Sequence, residues 1–529
     1  MPAAPPPVVV PDLVDRLRDD LTAAGYDVDG VTARLGDLAA VALARDQPVP
    51  ARRVLRGADD PVATFVRLFT LGDAVPAAAA ARALPRLGLD GADALGLVDR
   101  VGDDVRALVD LQPHAVVDDL GEASWWVCSD LGELAHGGAP LPTDHVLGVG
   151  AASMTLVEAV VPGLTGMRCL DVGAGSGVQS LHLARTGTEV VATDLSERAC
   201  AFARFTTALN GLTVDVRPGS LLDPVAGERF DRVVANLPFV ITPRRDDVPT
   251  YTYRDAGLPG DDVVRRMLTE VGGHLATGGL AQFLGTWEDR SDQSWRDRLA
   301  TWVEAARAAL AARPDGTDDV LDVWVVQREL ADPATYAEAW IADGGRPDRA
   351  TADAWYEAWL SDLAARGVEA VGFGIVTVRR RPADSATPPL TRFDDEHAGI
   401  PGAWRDVLAA GLSGHDALGA LDAHRDPARL LGARLRVAEG VVERREHDPG
   451  SPDPRRLLLV DTRRRGLTVE ASTALAAVVG ACDGDLPLGV VVEAVATLLG
   501  EEPSRLVERL LPALTGLVAD GLLAPVSRP

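Results

Sequence analysis

The run Asp171-Val172-Gly173-Ala174-Gly175-Ser176-Gly177 stands where a buried-strand pattern, Cys169–Val172, gives way to a helical pattern over Val178–Ala184. Such a junction offers unpaired backbone N–H groups and the positive end of a helix dipole. Glycines there tolerate positive φ and let a ligand approach the backbone closely. The details discriminate between ligands. A dinucleotide loop wants a third glycine where Val178 stands, and a phosphate loop wants Gly-Lys-Ser/Thr, which is absent. What remains is an acid two residues ahead of a glycine-rich turn, and an acid there can face the cationic, amino-acid end of a ligand.

Asp194 directly follows the next strand pattern, Glu189–Thr193. A carboxylate at a strand end can accept hydrogen bonds from both hydroxyls of a ribose. Its distance from the glycines is close to that of a nucleoside-binding βαβ unit. The plainer role for Asp194 is to cap the helix predicted over Ser196–Asn210.

These residues need a sheet to hold them. Strand patterns recur at Arg168–Val172, Glu189–Thr193, Thr213–Arg217, Asp231–Ala235, Gly279–Gly285, Val320–Val326 and Val371–Val378, with helical patterns between most of them. Strand–helix alternation predicts an α/β fold whose parallel sheet has right-handed crossovers. The last two strands are expected to form an antiparallel edge.

The glycine loop, Asp194 after the second strand, Gly219-Ser220-Leu221 after the third and Asn236 after the fourth follow the order of class I S-adenosylmethionine (SAM)-dependent methyltransferases. Residues 150–381 resemble that family. The resemblance implies a Rossmann-like sheet of seven strands. It implies that Asp171, Gly173, Ala174, Gly175, Gly177, Asp194 and Leu195 hold SAM, with Ser220, Leu221 and Asn236 completing the pocket. The family often has an acid near Ser220, so the departure bears on the adenine hydrogen bond. Val146–Leu156 falls where related enzymes lay a segment against the methionine end, and Thr155 is a candidate there.

Asn236-Leu237-Pro238-Phe239 resembles the motif of methyltransferases that act on planar amino groups, including adenine, guanine and glutamine-amide enzymes. Such a nitrogen has a delocalised lone pair and is a poor nucleophile. In that reading the Asn236 side-chain oxygen and the Leu237 carbonyl accept its two hydrogens. Pro238 fixes the carbonyl geometry, and Phe239 stacks on the planar group. Rate then comes from orientation and electrostatics. Leu237 stands where amide-methylating enzymes usually have proline, so RNA bases stay in play beside protein glutamine. The plain alternative is an ordinary strand-to-loop turn.

Tyr251–Asp261 resembles the segment after this motif in protein-glutamine and rRNA-guanine enzymes. Arg244, Arg245 and Arg254 with Tyr251 and Tyr253 could line a mouth suited to nucleic acid or an acidic peptide, or belong to a solvated loop. Trp125 and Trp126 suit an inter-domain contact. Trp340, Trp355 and Trp359 sit at roughly helical spacing and suit packing. His182 reads as a core or surface residue.

With 529 residues, about three domains are expected at ~150 residues each. Residues 1–11 are Pro-rich without a basic segment and read as a disordered or extended lead-in, not a signal peptide. Residues 12–130 read as a helical, winged-helix-like domain with strands at Val105–Val109 and Ser124–Cys128. Residues 382–391 read as a linker, and 392–529 as a second winged-helix-like domain, with three helices over Thr468–Val526. The net charge is −26 and all 52 basic residues are arginine, which argues for solubility and against a nucleic-acid coat, though Arg clusters at 429–436 and 455–465 leave local contact open. The four cysteines and nine histidines show no metal-ligand spacing, and no apolar run is long enough to span a membrane. A cytoplasmic enzyme without metal is expected. Rival readings are a small-molecule O- or N-methyltransferase, which usually carries a catalytic His or acid after the fourth strand, and a non-catalytic SAM-binding or winged-helix regulator. The oligomeric state and the acceptor are not specified by the sequence.

Overall fold

The structure is a computed structural model. It describes residues 4–526 except 119, 137–140, 162–165, 186–188, 256, 314–317, 344–347, 385, 397–403 and 463–466. Parts of the expected lead-in, linker, second Arg cluster and Tyr251–Asp261 segment therefore lie outside the described residues.

The chain forms two compact units. The first holds residues 1–157, 163–313 and 325–379. Its sheet is built from β1 (Cys169–Val172), β2 (Val190–Asp194), β3 (Val214–Pro218), β4 (Phe230–Asn236), β5 (Leu275–Arg290), β6 (Asp319–Ala331) and β7 (Val368–Pro382). They run in the spatial order β3-β2-β1-β4-β5-β7-β6. Pairing is parallel from β3 through β5, and β7 runs antiparallel to β5. The order reverses between β1 and β4. There the chain leaves β1 to one side and β4 to the other, which opens a crevice at the carboxyl ends of both. The sheet has eight strands, not the expected seven: Thr391–Asp395 lies on its outer edge beside β6.

The helix Glu197–Leu209 follows β2 as its apolar spacing predicts. Ser196 caps it by accepting the Ala199 N–H, and Gly211 closes the turn beyond it at φ 70°. Its face is double. Ala203 and Cys200 pack against Ala174 and Ala192 of the sheet layer. Phe202, Phe205 and Leu209 enter the core of the N-terminal region, among Leu17, Leu21, Tyr26, Phe65 and Phe69.

Residues 12–130 belong to the same compact unit as most of the sheet. They comprise short helices, a small sheet of Val75–Pro76, Asp104–Ala107 and Val98–Val101, and a hairpin of Asp110–Asp118 and Gly121–Ser129. Arg18 donates to the carbonyls of Leu209 (2.6 Å) and Ala208 (2.7 Å), satisfying the last carbonyls of the helix. Asn210 accepts from the Trp126 N–H at 3.0 Å and donates to its carbonyl at 2.7 Å. Trp126 thus ties the hairpin to the end of the helix Glu197–Leu209. In the lead-in, the Val8 N–H donates to the Leu95 carbonyl at 3.0 Å, and Arg198 donates to the Ala4 carbonyl at 2.6 Å.

The second unit holds residues 158–162, 314–324 and 380–529. Its core gathers Leu475, Val478, Val492, Leu506, Leu514 and Leu517 from three helices, Thr473–Gly480, Leu488–Leu499 and Pro503–Ala519. A small sheet places Arg434–Val437 between Asp483–Pro487 and Leu523–Pro525. The expected linker is pinned here: Arg381 reaches Asp322 at 2.8 Å, and the Leu390 N–H donates to Asp322 at 2.8 Å. All four cysteines are buried and unbridged. Among the described residues, no helix is long and apolar enough to cross a membrane, and no cluster of His, Cys, Asp and Glu is arranged to hold a metal.

Candidate active site

The crevice at the β1–β4 reversal is a cavity lined by Gly173, Ala174 and Gly175, by Asp194 and Leu195, by Ser220 and Leu221, and by Asn236, Leu237 and Pro238. Four separate loops, each following a strand, converge there. The glycine loop turns through positive φ at Gly173 (76°), Gly175 (55°) and Gly177 (88°). At Gly173 a side chain would be strained twice, because a Cβ would also stand 3.3 Å from the Asn236 carbonyl oxygen. Gly177 helps form the loop at a distance from the ligand space: a Cβ there would stand 3.2 Å from the Cα of Ala203.

Asp194 accepts two backbone N–H groups. Its Oδ1 accepts the Ser196 N–H at 2.8 Å and its Oδ2 accepts the Gly175 N–H at 2.9 Å. A carboxylate has further lone pairs, so its edge toward the cavity can still accept hydroxyls. Burial pushes its pKa up, against two backbone N–H donors that pull it down. The Gly219 N–H donates to the Asp194 carbonyl at 2.8 Å, which ties the β3 loop to the β2 loop.

Leu221 takes the left-handed conformation at φ 47°, unusual for a non-glycine residue. The Thr193 hydroxyl donates to its carbonyl at 2.9 Å and helps hold it there. Leu195 is 61% exposed. Leu195 and Leu221 are therefore apolar groups on the same cavity, suited to a flat aromatic base. Ser220 receives Arg266 at 3.4 Å.

Asp171 is not in the cavity wall. It is fully buried beneath the loop, where its Oδ2 accepts the Ser180 hydroxyl at 2.7 Å and its Oδ1 has no partner. Burial, with the nearby Asp194 charge adding to it, raises its pKa to about 7. It braces loop to helix and does not face a ligand directly.

At the end of β4, Asn236 donates from Nδ2 to the Ser153 hydroxyl at 3.3 Å, while Oδ1 is sealed from solvent without a partner. A buried acceptor left unmade costs about 1–3 kcal/mol, and an incoming N–H would relieve it. Leu237 is buried. Phe239 does not line the cavity. Its ring packs 5.0 Å from Phe373 and 5.9 Å from Trp340, over a cluster with Tyr336 and Trp359. The tryptophans at 340, 355 and 359 are packing residues in this cluster, as expected.

The expected basic mouth is not there. Arg254 is buried, stacked 4.5 Å over Tyr251 and bonded to Asp343 at 2.9 Å. Arg244 donates to the Leu258 carbonyl, and Arg245 pairs with Asp247. Of these five residues only Tyr253 lines the cavity, beside Thr252, Asp255, Leu258 and His145. No arginine occurs in the cavity wall among the described residues. Trp125 packs 5.0 Å from His182 in the hairpin contact, and burial lowers the His182 pKa to about 3.

Ser153, Gln179, His145 and Asp255 went unread in the sequence. Ser153 and Ala152 line the cavity where Thr155 was expected. The signal available was the small-residue run Gly150-Ala151-Ala152-Ser153, which allows a helix start to sit against the loop.

The segment carrying these residues, 148–251, matches the methyltransferase small domain. Residues 23–108 match a "Domain of unknown function (DUF7059)". The chain is 39% identical over 154 residues to the release factor glutamine methyltransferase of Deinococcus radiodurans, covering 28% of this chain and 55% of that one. It is 31% identical over 139 residues to the ribosomal RNA small subunit methyltransferase C of Alcanivorax borkumensis, covering 26% and 38%. It is 36% identical over 120 residues to a ubiquinone biosynthesis O-methyltransferase of Cereibacter sphaeroides, covering 22% and 48%. The chain thus spans between about a third and just over half of the length of these relatives.

Proposed function

We propose that this chain is a cytoplasmic SAM-dependent methyltransferase acting on a planar nitrogen, in a protein glutamine or an RNA base. The observation that carries this is a cavity whose wall brings Asn236 together with the glycine loop and Asp194.

The residues fit the cofactor. Asp194 would hold the ribose, Leu195 and Leu221 the two faces of the adenine, and the glycine-loop backbone the amino-acid end. SAM supplies a methyl on a sulfonium, which leaves as a neutral thioether when the nitrogen lone pair takes the methyl. The chain supplies orientation. Asn236 Oδ1 and the Leu237 carbonyl would accept the two N–H groups, and the nitrogen releases one proton to solvent as its new bond forms. An aromatic partner for the acceptor is better sought at Tyr253 than at Phe239, because only Tyr253 lines the cavity.

The absence of arginine from the described cavity wall favours a neutral amide over a nucleotide, whose phosphates need cationic partners. The O-methyl reading rests on the Cereibacter relative, and His145 in the wall is the residue that would serve it. Purified protein, methyl-labelled SAM and cell extract test the proposal. Label is expected in protein or RNA. Label confined to small molecules would reverse the acceptor assignment, and no label together with no SAM binding would end the proposal.

A further inference from the structure

The helix Pro333–Asp343 follows β6 in the chain. Tyr336, Trp340 and Asp343 are spaced by four and then three positions, so they share one stripe of it. Each holds a piece of chain that comes after Asn236. The Tyr336 hydroxyl accepts the Ile241 N–H at 2.9 Å. The Trp340 ring stands 5.9 Å from Phe239, and its carbonyl accepts Arg254 Nη1 at 2.8 Å. Asp343 Oδ2 accepts Arg254 Nη1 at 2.9 Å and the Tyr253 hydroxyl at 3.2 Å. The two held segments are also joined to each other, because the Val240 N–H donates to the Arg254 carbonyl at 2.8 Å. All of these residues belong to one compact unit.

The loops after β1, β2 and β3 carry the groups assigned above to the cofactor. Thr252, Tyr253 and Asp255 supply wall that those loops do not. Residues 251–255 form turns outside any strand or helix, so their placing depends on what they are tied to. Arg254 is buried, with the Tyr251 ring 4.5 Å away on one side and Asp343 bonded to it. The Tyr253 ring meets His145 edge-on at 6.0 Å, and its hydroxyl is anchored on Asp343. One carboxylate oxygen outside the cavity wall therefore secures two successive residues of this turn, and one of them lines the cavity.

We propose that Asp343 is a positioning residue for the methyl acceptor: by holding Tyr253 and Arg254 together, it sets the wall against which the acceptor lies. The proposal rests on the methyl-transfer reading above. Asp343 touches no reacting atom in this role, and it acts through Tyr253 and Arg254.

The test measures steady-state transfer from methyl-labelled SAM to the cell-extract fraction that the unaltered protein labels. In Asp343→Ala the KM for that acceptor is expected to rise roughly three- to tenfold, the scale of one lost hydrogen bond. Both kcat and the affinity for S-adenosylhomocysteine are expected to stay within about twofold, as for a loss of acceptor binding alone. Asp343→Asn keeps an acceptor oxygen and should restore most of the KM. An unchanged acceptor KM in Asp343→Ala overturns the proposal. So does an equal loss of S-adenosylhomocysteine affinity, which marks a general structural defect. Should Asp343→Ala fail to fold, Tyr253→Phe removes one of the two bonds and leaves Arg254 in place. A raised acceptor KM there supports the proposal, and an unchanged one overturns it. Hydrogen exchange needs no acceptor. In Asp343→Ala the amides of residues 251–255 should exchange at least ~threefold faster, and those of 173–177 at the unaltered rate. Unaltered exchange at 251–255 overturns the proposal. If the unaltered protein transfers no methyl, the methyl-transfer reading fails by itself, and exchange still decides whether Asp343 holds this wall.

Discussion

Asp194 Oδ2 accepts the Gly175 N–H at 2.9 Å, so the carboxylate after the second strand and the loop after the first are one assembly. Asp194→Ala leaves that N–H without its acceptor and removes the ribose partner at once. Loss of one charge-assisted hydrogen bond is worth about 1.5–3 kcal/mol, so affinity for S-adenosylhomocysteine should fall roughly 10- to 100-fold by calorimetry. Affinity within twofold of the unaltered protein would separate Asp194 from the cofactor.

Asn236→Ala removes the amide acceptor from the cavity wall. Transfer should fall at least ~100-fold, comparable to loss of a preorganised transition-state partner, while cofactor affinity stays within a few fold. Full turnover in this variant would show that another group polarises the nitrogen.

Asp171 carries a pH signature. Its folded pKa is about 7 because burial disfavours the charge, against an ordinary carboxyl value of 3.8. Between these values the folded state keeps a proton that the unfolded state has released. Stability should therefore fall as pH rises through that window, by up to about 1.4 kcal/mol per pH unit, and level off above pH 7. Asp171→Asn should flatten this slope in melting curves recorded from pH 4.5 to 8. A slope that survives in Asp171→Asn belongs to other groups.

Phe239 packs between Phe373 and Trp340. Phe239→Ala should cost about 3–5 kcal/mol of stability as a core truncation. Phe239→Leu should cost much less and keep transfer close to that of the unaltered protein. A stacking role would give the reverse for Leu: intact melting behaviour with a large loss of transfer.

Removal of residues 1–130 exposes Phe202, Phe205 and Leu209, which are buried in the shared core. Each such side chain is worth about 1.5–3 kcal/mol when buried. The remaining chain should aggregate or melt well below the full protein, as followed by light scattering. A soluble, cofactor-binding remainder would contradict the shared core.

The parts that were legible in the sequence are local ones. Gly173 to Gly177 and Asp194 are set by strand ends and turn chemistry within one βαβ unit, and spacing alone finds them. The placement of Phe239 depends on Trp340 and Phe373, more than 100 residues away, and no local pattern carries that contact. Arg254 could be read as lining a substrate mouth because a bare sequence does not show that Asp343 and Tyr251 already occupy it. Asp171 fits the family's loop by type. Its burial under that loop follows from Ser180 on the next helix, which the glycine pattern says nothing about. The eighth strand, Thr391–Asp395, was missed because its run Thr-Arg-Phe-Asp-Asp holds a single apolar residue, Phe393.

The helix Glu197–Leu209 closes a core whose other members were synthesised much earlier in the chain: Arg18 meets Leu209 across 191 positions. On the ribosome, residues 12–130 emerge with the seat for Phe202 and Phe205 still open. At ~5–20 residues per second the missing helix arrives on the order of 4–15 s later. Throughout that interval the nascent N-terminal region presents an apolar seat, which the arrival of the helix ending at Leu209 covers.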